Sequence, residues 1–317
     1  MRNLLERFHQ ASWQAARDIE RAFVRHRNPE PSPGRFWHEP AEDGTPLVTI
    51  VIPTCDADRG GYFAQLLGQL GRQTVQAYEL MVVLGDPRQG RAINIAAALA
   101  QGRYLLILDD DTSLATTEVV AKLVAALEAS PEIGMAGGNN VIPDGATPFV
   151  RRAMRQIPRR SWAPVTQVTD SDLAEHPCLM MRTEEFKAVG GENELLPRGL
   201  DPYLREEFRR AGKRVVLVPG VLYSHLPPDT LNGLLRQYFR NGRQAAFVGH
   251  HFPQWIIETP ANHGAFTARI PWWRRVARFP LRLFMGLARG RLIWLSCEVA
   301  YAVGYLVERG TWGKSHA

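Results

Sequence analysis

Apolar residues in this chain come as short unbroken runs at 47–53 (Leu-Val-Thr-Ile-Val-Ile-Pro), 80–84, 104–108 and 134–142. Runs of this length, rich in β-branched side chains and lacking polar alternation, predict strands buried on both faces. Between them, residues 61–73, 89–101 and 116–129 carry helical patterns. Strand and helix alternate four times with short joints. That order predicts an α/β fold with a mostly parallel central sheet and right-handed crossovers.

The flanks read differently. Leu4, Phe8, Ala11, Ala15, Ile19 and Phe23 keep helical spacing, and Asn3 with Glu6 forms a capping-box pair, so residues 1–27 predict one amphipathic helix. Residues 28–46 hold five prolines and predict a linker. A main domain follows over 47–250, and a helical C-terminal region over 251–317. Inside the domain, residues 147–177 show no usable pattern. Residues 178–182 predict a short strand and Thr183 opens a helix. A helix beginning at Asp201-Pro202 and closing at Ala211-Gly212 has Asp as N-cap, Pro at the first position and Gly beyond the end. Residues 215–218 and 221–223 predict strands leading to His225, and 231–248 a helix.

Composition narrows this only a little. At 317 residues, 45% hydrophobic and 22% charged, the chain has enough apolar material for a sizeable core. A net charge of +6 favours phosphate-bearing ligands, anionic membranes or nucleic acid as partners. Cys55, Cys178 and Cys297 are too scattered for a disulfide framework or a metal knuckle, which fits a reducing compartment. The first 27 residues are charged throughout, so no secretory signal is expected there.

The candidate chemistry sits after the run at 104–108, where Asp109, Asp110 and Asp111 stand in a row. Adjacent carboxylates resist burial unless a cation or water compensates them. In open α/β sheets, ligands bind beyond the carboxyl ends of the strands. Asp109 and Asp111 can therefore serve one hard divalent ion, Mn2+ or Mg2+, of the kind that carries substrate phosphates. The competing reading is a solvated turn with Asp111 or Thr112 capping a helix entered near Ala115. No Gly-x-Gly-x-x-Gly or Walker lysine loop follows the first strand, which removes dinucleotide dehydrogenases and P-loop ATPases.

The ordered motifs resemble family 2 glycosyltransferases. They are Thr-Ile-Val-Ile-Pro-Thr at 49–54, Arg91-Ala-Ile-Asn94, Gly102 to Asp111, Gly190-Gly191 with acidic residues after it, Asp201-Pro-Tyr-Leu, Arg210-Ala-Gly212, His225, and Gln237-Tyr-Phe-Arg240. The resemblance implies a GT-A nucleotide-sugar-binding fold and inverting transfer from a nucleotide-diphosphate sugar to a hydroxyl acceptor. It implies donor binding by Pro53, Thr54, Asp86, Arg91, Asp109 and Asp110, and a metal on Asp109 and Asp111. Asp201 matches the family's catalytic base, although Leu200 stands where a glutamate is usual. His225, Gln237 and Arg240 match acceptor or diphosphate contacts. Asn241 replaces the tryptophan of processive members. After the second strand, Val83-Leu84-Gly85-Asp86-Pro87 departs from the usual base-binding Val-Asp-Asp-Gly-Ser, so Asp86 takes that role only from a shifted position. These departures leave one alternative, a non-catalytic sugar-nucleotide-binding or scaffold protein on the same fold.

In the tail, Arg269, Arg274, Arg275, Arg278, Arg282, Arg289 and Arg291 interleave with Trp272, Trp273, Phe279, Leu281, Leu283, Phe284, Met285 and Leu287, with no acid among them. This predicts either an interfacial helix on anionic lipid or a helical pair packed on the domain. Residues 292–307 are apolar but shorter than the ~20 a span requires, and Glu298 lies among them. The expected location is cytoplasmic, peripheral on the inner face of the membrane, near a glycan or lipid-linked acceptor of envelope synthesis. No nucleic-acid-binding module is recognisable.

Overall fold

The computed structural model describes residues 3–42, 44–257 and 272–312. In chain order the strands are β1 (Gln14–Ala15), β2 (Arg35–Glu39), β3 (Val48–Thr54), β4 (Tyr78–Leu84), β5 (Tyr104–Ile107), β6 (Thr112–Leu114), β7 (Ile133–Asn140), β8 (Thr169–Asp170), β9 (Leu179–Arg182) and β10 (Arg214–His225). The α-helices are α1 (Leu4–His9), α2 (Tyr62–Leu70), α3 (Gln89–Leu99), α4 (Val119–Ala129), α5 (Pro148–Gln156), α6 (Thr183–Ala188), α7 (Leu200–Arg210), α8 (Leu231–His251), α9 (Trp272–Ala288) and α10 (Leu292–Trp312).

The strands form one sheet in the order β1-β2-β4-β3-β5-β9-β7-β10-β6, with β8 pairing on β10. Its centre is built as the apolar runs require. Every residue of β3 is buried, because Ile50 and Ile52 enter a core with Phe63 and Leu66 of α2, while Val51 enters the opposite core with Ile93 of α3. Helices on both faces leave no solvated side, so period-two alternation disappears.

The sheet is mixed, not mostly parallel. β4, β3 and β5 run parallel, as do β7 and β10. Between these groups β9 lies antiparallel to both neighbours, and β2, β6 and β8 also pair antiparallel. The stretch at 147–177 allows this: it leaves β7 and returns the chain to the same carboxyl edge, where Leu179 of β9 stands opposite Ile107 and Gly137. The two strands expected at 215–218 and 221–223 are one strand. A bulge between Leu217 and Leu222 interrupts its register with β7, and Asn139 Nδ2 donates to the carbonyls of Val218 and Val221 there. The bulge consumes residues without breaking the strand.

The N-terminal segment also departs from expectation. The capping box forms, with Asn3 Oδ1 accepting from Glu6 N and Asn3 Nδ2 donating to Glu6, but the helix ends at His9. Leu4 and Phe8 pack in the α2-side core, whereas Ile19 and Phe23 pack in the α3-side core. One straight helix cannot bury a single stripe on both faces of a sheet. The chain instead turns around the sheet edge through β1 and β2. The expected linker thus contains a strand, β2, paired along its length with β4.

At the other end, α10 lies along α8. A Cβ at Gly304 would stand 2.0 Å from Phe239 O, and one at Gly242 2.0 Å from Tyr301 O, so only glycine permits this helix contact. Trp294 and Cys297 of α10 share a core with Leu234 of α8, Ala153 of α5 and Ile157 just after α5. Glu298, the acid among the apolar residues of the tail, pairs with Arg282 at 3.2 Å. One face of α10 is therefore domain packing, while Leu292, Val299, Val303, Leu306 and Val307 stay exposed. Arg269 lies outside the described residues, as do the side chains of Trp272, Arg274 and Arg275. No helix among the described residues is long and apolar enough to cross a membrane.

Candidate active site

Three strand ends converge at the carboxyl edge of β5. Asp109–Asp111 follow β5 directly. Antiparallel pairing sets Ile107 against Leu179, which brings the residues just before β9, His176 to Cys178, alongside the acidic triplet. Thr112 Oγ1 donates to Pro177 O (2.8 Å) across that joint. Thr112 to Leu114 form a strand, not the helix entry, and pair antiparallel with β10 so that His225 stands opposite Thr112. Register alone thus sets His225 beside Asp111.

Ligand atoms of Asp109, Asp111 and His225 lie within 4.8 Å of one another. His225 Nε2 approaches Asp111 Oδ1 to 3.1 Å, yet that oxygen is buried without an aligned hydrogen bond. Burial pushes the Asp109 carboxyl up, against the pull of His225 and with Asp111 adding repulsion. Burial would raise Asp111 too, but His225 and Arg59 hold it below the usual carboxylate range. Burial works against the charge on His225, and Asp111 more than reverses this and raises it. An orphaned carboxylate oxygen, a second strained carboxylate and an imidazole form a donor set that fits a divalent ion.

Asp110 has a different role from its neighbours. Thr54 Oγ1 donates to its Oδ2 (2.6 Å) and Arg59 Nε to its Oδ1 (2.8 Å). Thr54 also accepts from Ala57 N (2.8 Å), so the end of β3 and the loop after it are tied to the triplet. Pro53 is buried within β3. Arg59 also reaches Asp111 at 3.3 Å and stays half exposed, a cation at the mouth of the site. Gln89 Nε2, at the start of α3, donates to Asp109 Oδ1 (2.7 Å). Neither Arg59 nor Gln89 stood out in the sequence, where each sits in an ordinary loop or helix start.

Asp201 lies beside the same centre, since its charge acts on Asp109. It is not the N-cap of α7. That position belongs to Gly199, whose φ of 86° admits glycine readily, and α7 starts at Leu200. Pro202 then falls within the first turn, where backbone N–H groups lack partners anyway. Asp201 Oδ1 turns away from its own helix and accepts from His176 N (2.7 Å), with His176 Nδ1 at 2.8 Å. Burial would raise its carboxyl, but His176 overrides burial and holds it well below the usual range.

Asp86 and Arg91 are placed elsewhere. Asp86 is buried and bound on both oxygens by Arg91 (2.8 and 2.9 Å), by Ser32 Oγ (2.5 Å) and by Arg88 N (2.8 Å). Arg91 Nη1 donates to Glu30 O (2.8 Å). This buried pair fastens the N-terminal segment to α3 and shows no free face to a nucleotide. A buried charge needs a partner, and each of these residues is the other's. Gln237 Oε1 accepts from Arg160 (3.1 Å) in the groove between α8 and the loop after α5, whereas Arg240 on α8 is exposed.

Residues 85–187 match the family model described as "Glycosyl transferase family 2". The uncharacterized protein y4gI of Sinorhizobium fredii (strain NBRC 101917 / NGR234) is 27% identical over 240 residues, covering 58% of this chain. The chain spans about a quarter of that relative's length, 25%. Among solved structures, the mannosyltransferase PcManGT from Pyrobaculum calidifontis, in complex with GDP-Man and Mn2+, superposes with TM-score 0.53 at 14% identity, over 88% of this chain and 90% of that one. S. aureus TarS 1-349 in complex with UDP-GlcNAc aligns more loosely, TM-score 0.42 at 13% identity, over 65% of this chain and 72% of that one. The resemblance to family 2 glycosyltransferases carried by the sequence motifs is thus supported, and the fold is of the GT-A type.

Proposed function

We propose that this chain is an inverting, metal-dependent glycosyltransferase that moves a sugar from a nucleotide-diphosphate donor to a hydroxyl acceptor. One observation carries the reading: Asp109, Asp111 and His225 gather at the carboxyl end of β5, with the partly exposed Asp201 near enough for its charge to act on Asp109. Asp109, Asp111 and His225 would hold the divalent ion, which supplies neutralisation of the negative charge developing on the departing diphosphate. Arg59 adds a guanidinium on the open side. Asp201, kept ionised, takes the proton of the acceptor hydroxyl as its oxygen attacks the anomeric carbon from the face opposite the leaving group. The related fold of PcManGT holds GDP-Man with Mn2+, which agrees with a donor of this class. The test is turnover and hydrolysis of UDP-, GDP- and dTDP-sugars with Mn2+, Mg2+ or chelator. At least one donor should be consumed with metal and spared without it; no consumption of any donor under any condition would end the proposal.

We further propose that the chain works at an anionic membrane surface. On α9, Trp273, Leu281, Phe284 and Leu287 are exposed, Phe284 to 68%, and Arg278 and Arg289 flank them in solvent. Exposed apolar side chains among arginines suit an anionic interface. Each basic residue near such a surface contributes ~1 kcal/mol, and this part weakens with salt. Because α10 completes a core, the clean variant is Leu281→Glu with Phe284→Glu, not removal of the tail. Full-length protein should float with anionic liposomes, partly even at high salt, and the double variant should not, while still hydrolysing donor. A full-length chain that stays soluble beside such liposomes at low salt removes the membrane from this account.

A further inference from the structure

Three titratable side chains from separate segments line up beside the donor site. His176 precedes β9, Glu192 follows α6, and Asp201 opens α7. His176 Nδ1 stands 2.8 Å from Asp201 Oδ1 and its Nε2 2.7 Å from Glu192 Oε1. His176 is 3% exposed and Glu192 is fully buried, whereas the Asp201 side chain remains 31% exposed. Glu192 is itself anchored, its N–H donating to Asn94 Oδ1 and its carbonyl accepting from Asn94 Nδ2, each at 2.9 Å. The line therefore runs from α3 through Glu192 and His176 to the first turn of α7.

From this geometry we infer that His176 is a positioning residue for sugar transfer, an imidazolium clamped by Glu192 that fixes one oxygen of Asp201 and leaves the other for the acceptor hydroxyl. The inference rests on the assignment of Asp201 as base. Oδ1 of Asp201 is occupied twice by His176, through N and Nδ1. Among the described residues Oδ2 takes no hydrogen bond from the chain, and the side chain's open part faces solvent. In the step itself the acceptor O–H proton passes to Oδ2 and the acceptor oxygen bonds to the anomeric carbon. The bond from that carbon to the diphosphate breaks, its electron pair leaving with the nucleotide. His176 already carries both its protons and takes none.

The charges agree with a protonated clamp. Burial opposes charge on His176, but two carboxylates raise it well above the ordinary range. Burial raises the Glu192 carboxyl and His176 pulls it back down; its Oε2 is buried without a partner, so the proton on His176 is the counter-charge a carboxylate there requires. Other groups act on the line: Arg205, one turn along α7, lowers Asp201 further, Asp109 couples to both Asp201 and His176, and Tyr203 feels Glu192. Arg205 is in turn held by Asp172 and acted on by Arg159 and Glu175. A cation against Asp201 makes it a weaker base, so the clamp supplies orientation and assured ionisation instead of basic strength.

The sign of the pH effect follows. His176 depresses the Asp201 pKa, so the ionised base persists far into acid; without the imidazolium, burial raises that pKa and the base is lost at higher pH. The experiment is the pH profile of kcat/KM for wild type, His176→Asn, Glu192→Gln and Asp201→Asn. Asparagine at 176 keeps a neutral donor near Asp201 but no charge. Measured at saturating divalent ion, so that Asp109 and Asp111 stay ionised, its acidic limb should move up by about one pH unit or more, with kcat lowered at neutral pH, partial recovery in alkali and little change in donor KM. Glu192→Gln, which weakens the clamp from behind, should shift the limb the same way by less. If Asp201→Asn turns over normally, the base assignment fails and the inference with it. If Asp201→Asn is inactive but the two clamp variants give wild-type limbs merely scaled down, His176 is only structural and the inference alone is overturned. Should His176→Asn not fold, Glu192→Gln decides by the same criterion.

Discussion

Asp201→Asn is expected to lower sugar transfer by ~10²–10⁴-fold, the usual worth of a general base, while donor affinity stays near wild type. The separation of effects comes from what Asp201 touches. Its Oδ1 accepts from His176 N (2.7 Å), and an asparagine oxygen accepts the same bond with the same reach. Gly199, not Asp201, caps α7, so the substitution costs the helix no cap. Lost are the ability to take a proton on the second oxygen and the negative charge that faces His176, so melting should fall somewhat while transfer falls far more. Single-turnover transfer, donor titration and thermal melting on the same preparations give the answer. Near-normal turnover would leave Asp201 as a structural partner of His176 and nothing more.

The second large effect belongs to Asp111→Ala. Transfer should fall by at least ~10²–10³-fold, the scale of removing one preorganised electrostatic contact to developing charge. Donor binding should become weak and indifferent to chelator. Stability without metal should fall modestly, since His225 at 3.1 Å and Arg59 at 3.3 Å favour the ionised Asp111 in the folded chain, and relief of its repulsion of Asp109 offsets only part of that loss. Arg59 would keep its bond to Asp110 (2.8 Å) and so hold the loop after β3 in place. Donor affinity measured with and without chelator, in wild type and variant, checks this. Four equal affinities would rule out a metal at Asp109 and Asp111.

Arg91 and Asp86 show where motif logic reaches its end. Both are expected on the nucleotide side, Asp86 from a shifted position, yet here they bind each other in the interior at 2.8 and 2.9 Å. Spacing along the chain says that an arginine lies five residues past an aspartate. It does not say whether a third segment covers them. Residues 30–32 do so, through Glu30 O and Ser32 Oγ, and this cover withdraws the pair from solvent. The N-terminal helix failed for a related reason. A helical stripe from Leu4 to Phe23 was present in the residues, but two opposite cores were available to bury it, and burial outweighs local spacing.

What the residues determined by themselves is local. Unbroken apolar runs at 47–53 and 104–108 specify strands buried on both faces, because no other arrangement removes every side chain from water. Three carboxylates in a row at a strand's carboxyl end specify a demand for positive charge. Which groups meet that demand was decided only in three dimensions. His225 reaches Asp111 through the pairing of β10 with β6, and His176 reaches Asp201 because β9 runs antiparallel against β5 and brings the chain back over the acidic edge. A strand register is set by the total fit of both faces across the sheet. Residues 111 and 225, or 176 and 201, therefore become neighbours through contacts that no stretch of sequence between them encodes.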